Sequence, residues 1–272
     1  MIPQHVVAGV DGSLVAVRAL DWASDEAERR DAALRVVYAV ADRDEAGPVL
    51  LSAVARVHAR HPGLRVASMP VTGGVVAGLA RESEGAALTV VGSRGLGSVS
   101  GLLARSVSLG LAAHVSSPLL VVRGDHPCDG PRHVLLGLAG EADAEAAAYA
   151  FEEAERRGVG LDVVHSRTHR FRIPELPSLI PATSPGQRAQ ACTDRAEDAV
   201  PRFSLAGLQE RYPTVGVEAR TVRTGPGRAL FEATRGSAVV VIGAHRHRGR
   251  LGPVAHTLLH RSHCPVVLVP TP

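Results

Sequence analysis

Two long stretches of this chain follow one script, and that internal duplication limits the folds open to it more than any other feature. The first, Leu88–Val122, reads LTVVGSRGLGSVSGLLARSVSLGLAAHVSSPLLVV. An apolar run, Leu88–Val91, stops at Gly92. A loop rich in glycine and serine follows, an amphipathic run starts near Arg105, and Pro118 opens a second apolar run. The order is buried strand, anion-type loop, helix, buried strand. Glycines let backbone N–H groups crowd around an anion, and the helix N-terminus behind them adds partial positive charge. Ser237–Val269 repeats the script in weaker form, with a strand ending at Gly243 and Pro265 opening the last apolar run. The halves also begin alike, HVVAGVDGS at His5–Ser13 and HVLLGLAGE at His133–Glu141, and TGG at Thr72–Gly74 answers TGPG at Thr224–Gly227. A repeat of roughly 130–150 residues is too long for a solenoid unit and suits a whole domain.

Within each half, short apolar runs alternate with amphipathic ones. In the first half, strands are expected at Val6–Val10, Leu34–Val40, Leu64–Met69, Leu88–Val91 and Leu119–Val122. Helices are expected at Leu14–Arg30 (Ser13 as N-cap), Pro48–Arg60, Val75–Ser83 and Ser106–His114. The second half predicts strands near Val134–Leu138, Leu161–His165, Val215–Val222, Val239–Ile242 and Val266–Val269. Its helices fall near Ala142–Arg157, Gln187–Arg211, Gly227–Arg235 and Val254–Ser262. Strands alternating with helices require crossover connections, hence parallel sheets covered on both faces. The predicted fold is therefore α/β: two tandem doubly wound, Rossmann-like domains, residues 1–124 and 131–272, each a five-stranded parallel sheet flanked by helices. Gly124–Pro131 is a turn-rich join, and Ser166–Gly186, with its four prolines, is an irregular excursion. The fifth strands, Leu119–Val122 and Val266–Val269, stand at sheet edges in this topology, and apolar edges tend to be covered.

Composition agrees with two globular domains. The 272 residues can bury two cores, and 45% are apolar against 21% charged. Aromatic residues make up only 3%, so the core must be Val, Leu and Ala. The sequence holds no lysine, so all 30 formally positive side chains are arginine, and the formal charge is only +3 with acids interspersed, so neither a basic stripe nor a stacking platform for nucleic acid is expected. The basic loop Arg246–Arg250 is read as solvated. Cys128, Cys192 and Cys264 form no CxxC pair, which fits a reducing compartment. The N-terminus has no signal-like pattern, and no apolar run approaches the roughly 18–20 residues that span a bilayer. A cytoplasmic protein without membrane contact is the expectation.

With these elements in place, the residues resemble the universal stress protein family in its tandem two-domain form, over nearly the whole chain. Nucleotide-binding members of that family carry an Asp at the end of the first strand, the motif G-x2-G-x9-G-[ST] after the fourth, and a Pro-led fifth strand. Here Asp11-Gly12-Ser13 stands at the first position. Gly92-Ser93-Arg94-Gly95, nine residues, and Arg105-Ser106-Val107-Ser108 stand at the second, with Pro118 in register. Two glycines and the serine match; Arg105 replaces the third glycine. The resemblance implies an adenine nucleotide, ATP with Mg²⁺, in the first half. Its phosphates would lie on the backbone N–H groups of Gly92, Ser93, Arg94 and Gly95 and on Ser106, beside Val107 and Ser108. Asp11, at the end of the strand closed by Val10, would face the ribose or a phosphate-bound cation, and Ala39 and Val40 would offer backbone groups to the adenine edge. Arg105 either strains the loop, adds a charge-assisted phosphate contact, or is a solvated helix-start arginine beside an impaired site. Pairing of the fifth strands into an intrachain pseudo-dimer, and a homodimer of chains with a possible protein partner, are implied as well.

The second half departs further from the motif. Leu138-Ala139-Gly140 lacks the acid, and the loop runs Gly243-Ala244-His245-Arg246, then five residues, then Gly252-Pro253, four residues shorter than in the first half. Pro253 offers neither N–H nor hydroxyl. This half is read as a degenerate site on a kept fold. His245, His247, His256, His260 and His263 crowd the C-terminal region, with His256 and His260 at i, i+4, but no acid or cysteine partner is placed with them, and surface histidines are the preferred reading over a metal site. No serine has a placed His–acid pair and no GxSxG elbow occurs, so an enzyme is not expected beyond slow ATP hydrolysis. Two other readings stay open. One is a scaffold that binds no nucleotide and acts through protein contacts or dimerisation. The other, least favoured, is an adenylating enzyme of related fold, whose phosphate loop would normally follow the first strand.

Overall fold

The computed structural model describes residues 5–40, 43–93, 107–123, 133–166, 205–247 and 250–271. In chain order the first half holds β1 (His5–Val10), α1 (Leu14–Arg29), β2 (Ala33–Val40), α2 (Gly47–Arg60), β3 (Val66–Thr72), α3 (Val75–Glu82), β4 (Leu88–Gly92), α4 (Val107–His114) and β5 (Leu119–Val122). The second holds β6 (His133–Leu138), α5 (Ala144–Arg157), β7 (Leu161–Ser166), a helical stretch α6 at residues 205–211, β8 (Val217–Val222), α7 (Pro226–Ala233), β9 (Ser237–Ala244), β10 (Arg246–His247), β11 (Arg250–Leu251), α8 (Pro253–Arg261) and β12 (Val266–Pro270).

Ten strands form one sheet in the order β3-β2-β1-β4-β5-β12-β9-β6-β7-β8. Inside each half all neighbours are parallel. At the middle β5 and β12 run antiparallel, with Leu120 opposite Val267 and Leu119 opposite Leu268. The strands expected to end two separate sheets thus lie at the centre of one, and the intrachain pseudo-dimer is realised through them. All four residues of β5 are buried, as a strand covered on both faces requires. The outer edges belong instead to β3 and β8, whose burial patterns are largely open. β3 runs through Pro70, beyond the expected end at Met69; an edge strand tolerates a residue that cannot donate to the ladder. β8 begins at Val217 rather than Val215, because the Val215 amide closes a turn on the Tyr212 carbonyl. After β9 the basic loop forms a short antiparallel ladder, Arg246 opposite Leu251 and His247 opposite Arg250. The linker, the proline-rich excursion and the larger part of the helix expected at Gln187–Arg211 lie outside the described residues.

Helices cover both faces. One apolar layer joins α1, α2, α5 and α6 through Leu20, Trp22, Leu50, Phe151 and Leu205; the other joins α3, α4, α7 and α8 through Leu79, Leu111, Leu230 and Leu258. Both layers cross the β5–β12 junction, so the two halves share their cores. The layers are built mainly of Val, Leu and Ala, as the scarcity of aromatics requires.

The junction on the first face also carries charge. Glu26 of α1 and Glu153 of α5 are buried, 1% and 2% exposed. Arg30 bridges to Glu153 at 2.8 Å and also to Glu26; Arg157 bridges to Glu153 at 2.6 Å and reaches back to Glu26. The arrangement is crosswise: the Arg30 guanidinium stands 5.8 Å over the Tyr149 ring and the Arg157 guanidinium 5.3 Å over Trp22. EAERR occurs in both helices, at Glu26–Arg30 and Glu153–Arg157, so the cluster obeys the same internal symmetry as the sheet.

Candidate functional site

In a doubly wound sheet, ligands bind beyond the carboxyl ends of the strands, where neighbouring strands send their helices to opposite faces. β1 and β4 are such neighbours, since α1 packs in one apolar layer and α4 in the other. The turn leaving β1 is fixed by its own residues. Gly12 takes φ +77, which a side chain resists, and Asp11 Oδ1 accepts the Ser13 N–H at 3.0 Å. Ser13 then caps α1, its hydroxyl accepting the Ala16 N–H at 3.2 Å. Asp11 is thereby held half-buried at the mouth of the crevice.

β2 overhangs this crevice. Its ladder with β1 ends at Val10 opposite Tyr38, while its ladder with β3 continues through Ala39 opposite Val71 to Val40 opposite Thr72. Two residues, Ala39 and Val40, therefore stand beyond the end of β1. Around the same strand ends, α1, α3 and α4 start, and their first residues Leu14, Val75 and Val107 are exposed large apolar side chains, at 79%, 41% and 37%. An apolar rim with helix N-termini behind it can hold a ring on one side and an anion on the other.

The structure places the other expected contacts unevenly. Val10 and Val40 are buried, so only their backbone can meet a ligand. Gly92 serves packing. A Cβ there would lie 2.8 Å from Val15 Cγ1 and 3.2 Å from the Val15 backbone, so the glycine lets the first turn of α1 rest on the end of β4. The Ser93 amide donates to the Val122 carbonyl at 2.9 Å, which leaves its hydroxyl rather than its N–H for a ligand. Ser108 is buried in the first turn of α4, unlike its exposed neighbour Val107. Arg94, Gly95, Arg105 and Ser106 lie outside the described residues.

At the corresponding point of the second half, between β6 and β9, an acid of the first connection meets a histidine of the fourth. Asp143, 2% exposed, accepts the Ala139 N–H on Oδ2 at 2.6 Å and meets His245 Nε2 on Oδ1 at 2.6 Å. The Gly252 amide closes the shortened loop on the His245 carbonyl at 3.3 Å. His245 therefore has the acid partner that its sequence surroundings do not show, 102 residues away. The signal available was an acid displaced within one turn: Ala139 stands where the first half has Asp11, and Asp143 follows in the same connection. Of the other histidines, His256 and His260 bring their rings to 4.4 Å, and His263 stacks on Phe231 at 4.9 Å. Among the described residues no three His, Cys, Asp or Glu side chains are grouped to hold a metal ion, and no helix is long and apolar enough to cross a membrane.

Comparison with known proteins places these features in one class of tandem α/β proteins. The model of the universal stress protein family matches twice, over residues 3–123 and 131–270. A universal stress protein of Mycolicibacterium smegmatis is 32% identical over 292 residues, covering 97% of this chain and 96% of the relative. One from Mycobacterium tuberculosis is 32% identical over 296 residues, covering 97% of each chain. In three dimensions, a universal stress protein of Archaeoglobus fulgidus superposes with a TM-score of 0.69 at 16% identity, covering 98% of this chain and 96% of that one, a likeness of fold. The chain belongs to the universal stress protein family, in tandem form.

Proposed function

We propose that the chain is a binding module that takes one adenine nucleotide, ATP with Mg²⁺, in its first half. The observation that carries this reading is the crevice at the β1–β4 switch point, where a fixed carboxylate, an overhanging strand and the starts of three helices meet. Asp11 suits ribose hydroxyls or a phosphate-bound cation, because a carboxylate only accepts hydrogen bonds and ligates hard cations. The β2 overhang suits the adenine edge. The phosphates fall to the motif loop containing Gly95 and Ser106. The second half takes no nucleotide, since its switch point is filled by Asp143 and His245. Residues 1–124 and 131–272 are the two units of this division of labour.

The module works by binding rather than by turnover: ligand occupancy alters the exposed apolar rim for a protein partner, in the cytoplasm and as a homodimer of chains. A second reading, a scaffold independent of nucleotide, draws support from the committed Ser93 amide and the buried Ser108, which remove two ligand contacts. Titration calorimetry with Mg-ATP separates the two. The first reading expects one site per chain, loss of binding in Gly95→Val, and weakening of about tenfold or more in Asp11→Ala, the scale of a charged hydrogen bond. Two sites per chain overturn the assignment of the second half. No heat and no thermal shift at millimolar ATP overturn the nucleotide reading in favour of the scaffold.

A further inference from the structure

Asp143 occupies the N-cap position of α5, where an aspartate ordinarily accepts an N–H of the helix's own first turn. Here it makes no such bond. Its carboxylate instead lies over the carboxyl ends of β6 and β9, one oxygen on the Ala139 N–H and the other on His245 Nε2, both at 2.6 Å. A carboxylate oxygen only accepts, so Nε2 is the nitrogen that carries hydrogen in this contact. Space for the group comes from Gly243: a Cβ built there would collide with Asp143 Oδ1. The equivalent glycine of the first half, Gly92, faces the Val15 backbone instead, so the corresponding glycines of the two halves make room for different groups. A backbone N–H after the first strand, an imidazole after the fourth and a helix start beside them are the donors that an external anion at this point would use.

We propose that Asp143 is a built-in ligand. The second half holds a small-anion site at its switch point, and the chain's own carboxylate fills it, so this half stays loaded at every ligand concentration. Vacated, the site takes a small carboxylate. The inference rests on the geometry of the second half alone and does not depend on nucleotide binding in the first.

Chemical rescue tests it in the full chain. Asp143→Ala removes the internal carboxylate and leaves the Ala139 N–H and His245 facing an open space; Asp143→Asn keeps the bulk. Thermal unfolding is followed with increasing sodium formate against sodium chloride at matched ionic strength. The expected result is a saturable rise in the Tm of Asp143→Ala, several degrees in formate beyond chloride, absent from wild type and from Asp143→Asn, and lost when His245→Ala is added. If Asp143→Ala does not fold in chloride, the expected result is recovery of folded protein on refolding in formate. Superposable formate and chloride responses, no recovery in formate, or the same saturable response in wild type would overturn the proposal.

Discussion

Arg30 and Arg157 each reach across the junction to the other half's glutamate, which buries four charged side chains where the halves meet. A buried ion pair is weak evidence of net stability, but removing one partner strands the rest. Glu153→Gln leaves Arg30 and Arg157 under-compensated and is expected to cost about 3–5 kcal/mol, read as a lower urea midpoint at neutral pH. The two glutamates also differ toward acid. Burial alone would raise the Glu153 carboxyl, but the Arg157 and Arg30 guanidiniums outweigh it and hold it at about 2, below its ordinary 4.5. Glu153 therefore stabilises the fold above pH 4.5, and that stability is lost as the pH falls toward 2. Burial, with the Glu153 charge, pushes the Glu26 carboxyl up instead, so its contribution has the opposite sign and is largest at low pH. Urea midpoints measured between pH 5 and pH 2 should accordingly flatten in Glu153→Gln and keep their acid decline in Glu26→Gln.

The contact of α1 with β4 shows how one element positions the candidate site. α1 starts from the Ser13 cap, and its second residue, Val15, lies on Gly92 with no room for a side chain between them. Gly92→Ala brings Cβ within 3.2 Å of backbone, which cannot rotate away, so the helix start must shift. The expected cost is about 1–3 kcal/mol, the range for overpacking. Because the same turn carries Asp11, the proposed nucleotide site predicts that Mg-ATP affinity falls together with Tm. A Gly92→Ala variant of wild-type stability with α1 unmoved in a crystal structure would contradict the packing role. In the second half, the corresponding connection places its acid, Asp143, at a helix start, where His245, just after β9, meets it.

At the scale of the whole molecule, one continuous sheet joins the halves independently of the covalent linker. Leu120 and Val267 face each other at the centre of the antiparallel pair, both buried in one of the two apolar layers that run across the junction. Leu120→Asp would bury an unpaired carboxylate there, and the cost of doing so is several kcal/mol. The expected outcome is an aggregated or unfolded chain in size-exclusion chromatography. Cleavage within residues 124–131 alone should leave the two pieces co-eluting, because the ladder, the shared cores and the Arg–Glu cluster remain.

Much of this architecture is legible in the linear sequence. The duplication, the alternation of strands and helices, the Ser13 cap and the destiny of the apolar fifth strands follow from local patterns, because periodicity and turn residues record which side of an element must be buried. The same holds for Asp11, whose turn is written in three consecutive residues. Contacts between distant elements carry no such record. EAERR is spelled out in both halves, yet on its own it reads as a solvated helix end; only the docking of α1 against α5 buries it and turns each arginine toward the other half's glutamate. Gly92 belongs to a phosphate-loop motif by its spacing, and the fold uses it to seat a helix. Asp143 and His245 are unremarkable in their own neighbourhoods and meet across 102 residues because β6 and β9 are adjacent in the sheet. Local chemistry determined the elements and their order; the identity of each buried polar partner was decided by packing, which alone sets who meets whom once water is excluded.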